Sequence, residues 1–384
     1  MTQHLLIALL SAMIAVIWIH PKLVKIAHLK GIVDYPDTRK LQRTPVPVLG
    51  GVAVFFGIVL GVALTSGYTN CQSLMTIVAA MMIMLYVGTM DDIVGLSAKF
   101  RLTVEIGVVA LLIFVNNQYI NNFDGLWGYT LIPNYVAIPL TIFAAVGIIN
   151  SMNLIDGVNG LSSGYCIMAS IIFGAFFLII GDAPMTTLAA VAIGSLIPFF
   201  FHNVFGTTSK MFIGDGGTLV MGIVMSTFVV NILSSKTSTE AIDTDFGLVA
   251  FTLATMSIPI FDTLRVMLSR IVKGTSPFHP DKTHLHHMFI DMGFSHAGAT
   301  VSILTLNSII IACQILVWYI GLSVDVQLYV VIGLGIAFTL GLYHLVYSVK
   351  DENVIKRAIK RIGHATHFER KGVCLAFQKL VDKI

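Results

Sequence analysis

The chain has 384 residues, of which 56% are hydrophobic and only 11% are charged. Soluble domains carry roughly 25% charged residues, so this composition excludes a water-soluble globular fold. The net charge of +3 gives no indication of a nucleic-acid partner.

Long apolar runs predict membrane-spanning helices, because a bilayer core of about 30 Å takes roughly 20 apolar residues as a helix. We therefore predict an all-α integral membrane protein, a polytopic bundle of about 11 transmembrane helices. The first run has no basic segment before it and no cleavage site after it, and is expected to be a retained helix. The predicted spans are 4–20, 48–66, 72–90, 102–118, 131–149, 160–180, 184–201, 213–233, 247–269, 300–321 and 324–347.

The basic residues are distributed unequally between the two sets of predicted loops. Of the 23 Lys and Arg residues, all except Lys236 follow odd-numbered spans or lie in the C-terminal segment. The positive-inside rule therefore predicts a cytoplasmic C-terminus and an N-terminus outside.

We divide the chain into a transmembrane catalytic domain, residues 1–349, and a basic amphipathic cytoplasmic tail, residues 350–384. Apolar residues from Val354 to Ile362 follow helical spacing on one face, with cations on the other. This pattern predicts a helix that lies on the membrane surface. We expect the tail to contribute nothing to the chemistry.

Polar clusters occur in each loop assigned to the cytoplasm. Asp91 and Asp92 are adjacent at the end of a predicted helix, where they could hold Mg²⁺ that also binds phosphate oxygens. They could instead cap the next helix. Asp215 lies between glycines at the start of an apolar span, where it could cap that helix or bind a metal ion.

Two further clusters contain amides and histidines. Asn153, Asp156 and Asn159 fall within NSMNLIDGVNGLSSG, which has more hydrogen-bonding groups than a turn requires. The segment HPDKTHLHHMF has four histidines but no neighbouring cysteine, so a cationic phosphate-binding loop is favoured over structural zinc. Together the clusters predict transfer of a phosphorylated group, with a lipid as one substrate.

Five segments, in this order, resemble the polyprenyl-phosphate N-acetylhexosamine-1-phosphate transferases, especially the WecA and TagO branch. They are DYPDTRK with PVPVLGG, MDDIVGLSAKFR, NSMNLIDGVNGL, FIGDGG and DKTHLHH. The resemblance implies that a polyprenyl phosphate, expected to be undecaprenyl phosphate, attacks a UDP-N-acetylhexosamine such as UDP-N-acetylglucosamine. UMP then leaves, and the lipid carries the first sugar of a cell-envelope glycan.

The resemblance also implies a cofactor, a location and roles for individual residues. We expect Mg²⁺, for which Mn²⁺ could substitute, and an active site on the cytoplasmic face of the bacterial inner membrane. A homodimer remains open. The residues expected to be catalytic are Asp91, Asp92, Asp156, Asp215, His284, His286 and His287. The expected metal ligands are Asp215, Asp92 and Asp91, with Asp91 alternatively a base. The residues expected to bind the substrates are Asn153, Asn159, Phe212, Lys99 and Arg43.

Within this set, the resemblance implies that Phe212 stacks on uracil and that Asn159 faces the edge of the base. Many relatives have an aspartate at the position of Asn159, and an amide can still form the hydrogen bond. A secondary transporter is the competing class, but its charges should lie near the midplane in paired repeats, which we do not find. A CDP-alcohol phosphotransferase would require a DGxxAR pattern that DGVNGL lacks.

Overall fold

The computed structural model describes residues 2–36, 44–67, 72–276, 282–350, 353–367 and 372–383. The described chain is almost entirely helical, as predicted. Two antiparallel strands, β1 (Val33–Asp34) and β2 (Val46–Pro47), are short exceptions. The helices are α1 (Thr2–Lys30), α2 (Gly50–Thr65), α3 (Gln72–Val94), α4 (Ala98–Asn116), α5 (Asn134–Leu154), α6 (Leu161–Ile180), α7 (Ala183–Phe205), α8 (Gly214–Ile232), α9 (Leu248–Thr255), α10 (Ser257–Val272), α11 (Leu285–Asp291), α12 (His296–Tyr319), α13 (Val324–Ile336), α14 (Leu342–Ser348), α15 (Val354–Ala365) and α16 (Val373–Val381).

Eight helices of the described chain are long and apolar enough to cross a membrane, with α13 and α14 joined by a π-helical segment into one of them. A ninth is possible if α9 and α10, bent by 74° at their junction, form one broken span. The outer surface exposes large apolar side chains, including Phe114, Phe143 and Tyr319, as lipid contact requires. The protein is thus a polytopic helical membrane protein.

Each of the eleven predicted spans coincides with a helix or a broken helix, but not every one of these helices is long and apolar enough to cross a membrane. Helix α2 has only 16 residues. Helix α4 carries Lys99, Arg101 and Glu105 in its first turns and is not among the eight. The count of eleven and the orientation in the membrane therefore remain predictions.

Helix α8 lies at the centre of the bundle and is the most enclosed of the eight long apolar helices. Of its apolar 18-residue stretch, 89% is buried inside the protein. It packs against α2, α3 and α5. At its far end, Phe228 contacts the rings of Phe173 and Phe177 at centroid distances of 5.7 and 5.5 Å. Its N-terminus, at Gly214 and Asp215, therefore has a fixed position relative to its neighbours.

Candidate active site

A cavity of about 620 Å³ lies at the end of the bundle where α8 begins. This volume is in the range of pockets that bind a small organic ligand, roughly 300–1,000 Å³. Its walls come from the segments that follow α1, α5 and α7, from the last turn of α3, from the first residues of α8, and from α11 and α12. The predicted polar loops thus meet at one place. Its lining residues include Asp92, Asp156, Asn159, Lys210, Phe212 and Asp215.

Asp92, at the end of α3, caps the N-terminus of α8. Its Oδ1 accepts a hydrogen bond from the backbone N–H of Asp215 at 3.1 Å, and its Oδ2 accepts one from Gly216 at 3.4 Å. A carboxylate is favourable at this position because a helix N-terminus carries partial positive charge. Asp92 is thus a cap, but of α8 rather than of the helix that follows it in the chain.

Arg101, on α4, joins two of the predicted site carboxylates. Its Nη1 lies 2.9 Å from Asp91 Oδ2 and 3.3 Å from Asp215 Oδ2, and its Nε lies 3.6 Å from Glu105 Oε1. Asn150 donates a hydrogen bond to the other oxygen of the buried Glu105. Arg101, Glu105 and Asn150 are not among the site residues predicted from the sequence. Glu105 falls inside the predicted span 102–118, where an ionisable residue is itself a functional signal.

Asn153 and Asp156 interact with Asp215 in different ways, the first through a hydrogen bond and the second through its charge. The Asn153 amide donates to Asp215 Oδ1 at 2.9 Å and to Thr218 Oγ1 at 2.9 Å, so Asn153 orients the carboxylate. Asp156 is open to the cavity, but the surrounding protein removes it from bulk water. This burial and the neighbouring Asp215 carboxylate raise the pKa of Asp156 to about 7.

Lys210 and Phe212 lie two positions apart on the loop between α7 and α8. The Lys210 ammonium lies 5.6 Å from the centroid of the Phe212 ring. Asn159 also lines the cavity, and its backbone N–H donates to His296 Nδ1 at 3.2 Å. His296 and Asn203 also line the cavity. Neither Lys210 nor His296 is among the site residues predicted from the sequence.

The histidine cluster is divided between the cavity and the protein interior. Of its three histidines in the described chain, His287 lines the cavity. His284 is buried, and its Nδ1 lies 2.9 Å from Asp262 Oδ2. The buried His286 packs on Gly157, where an added Cβ would lie 1.8 Å from Nε2, so glycine is required there. Burial, followed by the neighbouring histidines, lowers the pKa of His286 well below its usual value, which keeps it neutral.

Other predicted site residues lie away from the cavity wall. Asp91 accepts from the Leu96 backbone N–H at 2.6 Å and contacts Arg101, behind Asp215. Lys99 is exposed in the first turn of α4. Arg43 lies outside the described residues.

The oxygen donors at the cavity fit Mg²⁺. Asp92, Asp156 and Asp215 line the same space. Burial is the main cause of the raised pKa of Asp156, and the neighbouring Asp215 carboxylate adds to it. A cation between the carboxylates would relieve this second contribution. Within the ranges that the structure describes, no three or more His, Cys, Asp or Glu side chains are grouped so that they could hold a metal ion by themselves. Mg²⁺ does not require such a group, because it usually takes one or two carboxylates together with substrate phosphates and water.

A membrane bundle with a carboxylate-lined polar cavity at one end is the arrangement of an enzyme that transfers a phosphorylated group. Comparison with known proteins agrees: the sequence profile of glycosyl transferase family 4 matches residues 74–233. The chain is 31% identical over 301 residues to the Bacillus subtilis protein named "Probable undecaprenyl-phosphate N-acetylglucosaminyl 1-phosphate transferase", covering 76% of this chain and 79% of that one. The chain belongs to glycosyl transferase family 4.

Two enterobacterial relatives match over nearly the whole chain. The Escherichia coli O157:H7 undecaprenyl-phosphate alpha-N-acetylglucosaminyl 1-phosphate transferase is 26% identical over 351 residues, which are 91% of this chain and 92% of that one. The Salmonella typhi protein of the same name is 28% identical over 354 residues, which are 90% and 91% of the two chains. The predicted resemblance to polyprenyl-phosphate N-acetylhexosamine-1-phosphate transferases is confirmed.

Proposed function

We propose that this protein transfers N-acetylglucosamine 1-phosphate from UDP-N-acetylglucosamine to undecaprenyl phosphate. Relatives whose names state this transfer to undecaprenyl phosphate match the chain over most of their length. The observation that carries the proposal is the single cavity in which Asp92, Asp156 and Asp215 face Lys210 and Phe212. This places acidic groups, a cation and an aromatic ring around one ligand-sized space.

The reaction exchanges one phosphoric anhydride for another. A phosphate oxygen of the lipid forms a bond to the sugar-linked phosphorus, while the bond from that phosphorus to the bridging oxygen breaks. UMP leaves with the electron pair, and the lipid diphosphate sugar remains in the membrane. Charge on the phosphoryl oxygens must be stabilised throughout, so positioning and electrostatics are the main contributions of the protein.

The residues divide into a group for the phosphates and a group for the nucleotide. Lys210 is suited to the diphosphate, and Phe212 offers a ring on which the uracil can stack. Asn159, which lines the same cavity, can hydrogen-bond the edge of the base. Asn153 holds Asp215 in a fixed orientation through the 2.9 Å hydrogen bond to its Oδ1.

Asp215 and Asp92 are the residues that would hold Mg²⁺, with Asp156 facing them across the cavity. When bound, the ion would neutralise charge on the diphosphate oxygens. Arg101 helps to position Asp215 independently of the ion, because its guanidinium contacts both Asp91 and Asp215. We place the cavity on the cytoplasmic face of the bacterial inner membrane, on the basis of the predicted loop charges.

The proposal is tested with purified protein in detergent, undecaprenyl phosphate and a panel of labelled UDP-sugars. We expect equal amounts of UMP and lipid-linked sugar from UDP-N-acetylglucosamine, loss of both with a chelator, and recovery with Mg²⁺. A different preferred sugar would correct the donor. Absence of lipid-linked product with every UDP-sugar would refute the function.

A further inference from the structure

The last helix of the tail, α16, packs against the helix that leads into the site. The Phe377 ring contacts Phe201 and Phe205 of α7 at centroid distances of 5.7 and 5.2 Å. Asp382, directly after α16, reaches the loop at residues 207–209. The sequence predicts a tail separate from the chemistry, whereas the structure places its last helix behind one wall of the cavity.

Asp382 satisfies several hydrogen-bond donors of this loop. Its Oδ1 accepts from the backbone N–H groups of Thr207 at 2.9 Å and Ser209 at 3.1 Å, and from the Ser209 hydroxyl at 2.9 Å. Its Oδ2 accepts from the Thr207 hydroxyl. Partial burial acts to raise the pKa of Asp382, but these hydrogen bonds outweigh it and lower the pKa below its usual value. The carboxylate is therefore ionised at neutral pH.

The same loop continues directly to the residues that face the cavity. Beyond Ser209 come Lys210 and Phe212. The end of the loop is held separately, because Phe212 N–H donates to Pro47 O at 2.8 Å and the Asn203 amide donates to Met211 O at 2.8 Å.

At the beginning of the loop, Ser209 also contacts two histidines: His20 Nε2 lies 2.8 Å from its carbonyl oxygen, and His202 Nδ1 lies 2.9 Å from its hydroxyl. Asp382 adds the contacts to Thr207 and to the Ser209 N–H. Its loss would therefore loosen the part of the loop that precedes Lys210 more than the part at Phe212.

We propose that Asp382 is a positioning residue, which ties residues 207–209 to the tail and so fixes where Lys210 and Phe212 meet the UDP-sugar. This inference rests on the proposed function, since the donor is the ligand concerned. Asp382 is not among the residues that line the cavity, so it acts through the loop and not by contact with the reacting atoms. We expect the larger change in the affinity for the donor, which the loop contacts before the reaction begins.

The test compares Asp382→Ala, Asp382→Asn and the control Lys379→Ala, which changes an exposed side chain of α16. Alanine removes every acceptor. Asparagine retains an oxygen at the Oδ1 position, and the Thr207 hydroxyl can rotate to accept from its amide. Two measurements are made on full-length protein: amide hydrogen exchange of the peptide covering residues 206–213, and steady-state kinetics with UDP-N-acetylglucosamine.

For Asp382→Ala we expect faster exchange confined to residues 206–213, together with about a tenfold higher KM for the donor and little change in kcat. Asp382→Asn should largely restore both values, and Lys379→Ala should match the wild type. Cooperative thermal unfolding and unchanged exchange elsewhere show that the variants are folded.

Unchanged exchange in Asp382→Ala would overturn the proposal, because the loop would then be held by its other contacts. Faster exchange with an unchanged KM would also overturn it, because the loop position would not matter to the donor. Both results leave the transfer reaction itself in place. Failure of the proposed function is distinguished by the wild-type enzyme, which would then give no product with any UDP-sugar.

Discussion

Replacing Arg101 with alanine removes a cation that two carboxylates from different helices share. Asp91 Oδ2 and Asp215 Oδ2 lie 2.9 and 3.3 Å from the same guanidinium nitrogen. Without it, the two carboxylates would repel each other, and Asp215 would keep only the Asn153 amide, at 2.9 Å, among these side-chain contacts. We therefore expect Arg101→Ala to displace Asp215 from its position at the start of α8.

The size of the effect follows from how exposed the network is. Removing one partner of a fully buried ion pair costs about 3–5 kcal/mol, whereas an exposed pair contributes about 0–1 kcal/mol. The side chains of Arg101, Asp91 and Asp215 are 18%, 14% and 36% exposed, which places the network between these limits. We take the same cost, about 2 kcal/mol, as the loss of transition-state stabilisation when Asp215 is displaced, which corresponds to about a 30-fold lower rate.

The assay is the initial rate of lipid-linked sugar formation at several Mg²⁺ and UDP-sugar concentrations. We expect kcat of Arg101→Ala to fall about 30-fold, with an intermediate loss in Arg101→Lys, because lysine keeps the charge but loses the planar donor set. Lys25→Ala changes an exposed cation of α1 and serves as the control. A folded Arg101→Ala enzyme with wild-type kcat and Mg²⁺ dependence would refute this reasoning.

Three further predictions concern the same end of the bundle. Asp215→Asn and Asp92→Asn should each lower product formation by orders of magnitude in folded protein, and near-normal rates in both would contradict their role at the phosphates. Gly88→Ala should lower the unfolding temperature, with overpacking costing about 1–3 kcal/mol, because its Cβ would lie 2.5 Å from the Asp215 carbonyl carbon. Gly107→Ala, with no atom within 4 Å of the added Cβ, is its control, and equal stability of the two would contradict the packing argument. Asp262→Asn should speed hydrogen exchange in α11 and reduce turnover, since Asp262 anchors the histidine cluster; unchanged exchange would contradict this.

The helices and the meeting of the polar loops could be predicted from local patterns. Apolar runs, and the glycine-rich and acidic segments between them, can be recognised from residues that are close together in the sequence. Asp92, Asp156, Asn159 and Asp215 were predicted as site residues from such segments, and Phe212 was predicted from the family resemblance. All five line the cavity. Their individual roles remain predictions.

Contacts between distant parts of the chain could not be predicted in this way. Arg101 stands 114 positions from Asp215, and the tail residue Asp382 stands 173 positions from Ser209. Asp262 lies in α10, after the 74° bend between α9 and α10, and contacts His284, which is 22 positions further along the chain. Each pairing depends on which helices are neighbours and how they are rotated, and a single sequence contains no periodicity that specifies either.

Glycine packing explains why the acidic groups can assemble at the start of α8. An added Cβ at Gly88 would lie 2.5 Å from Gly216 Cα, and one at Gly51 would lie 2.2 Å from Gly217 N, so α2 and α3 both approach the α8 backbone directly. This close approach lets Asp92 reach the backbone N–H groups of α8 and holds its carboxylate rigid. The glycines that follow Asp215 are thus required for the close packing of these helices. This packing fixes the carboxylates before any substrate binds, as electrostatic catalysis requires.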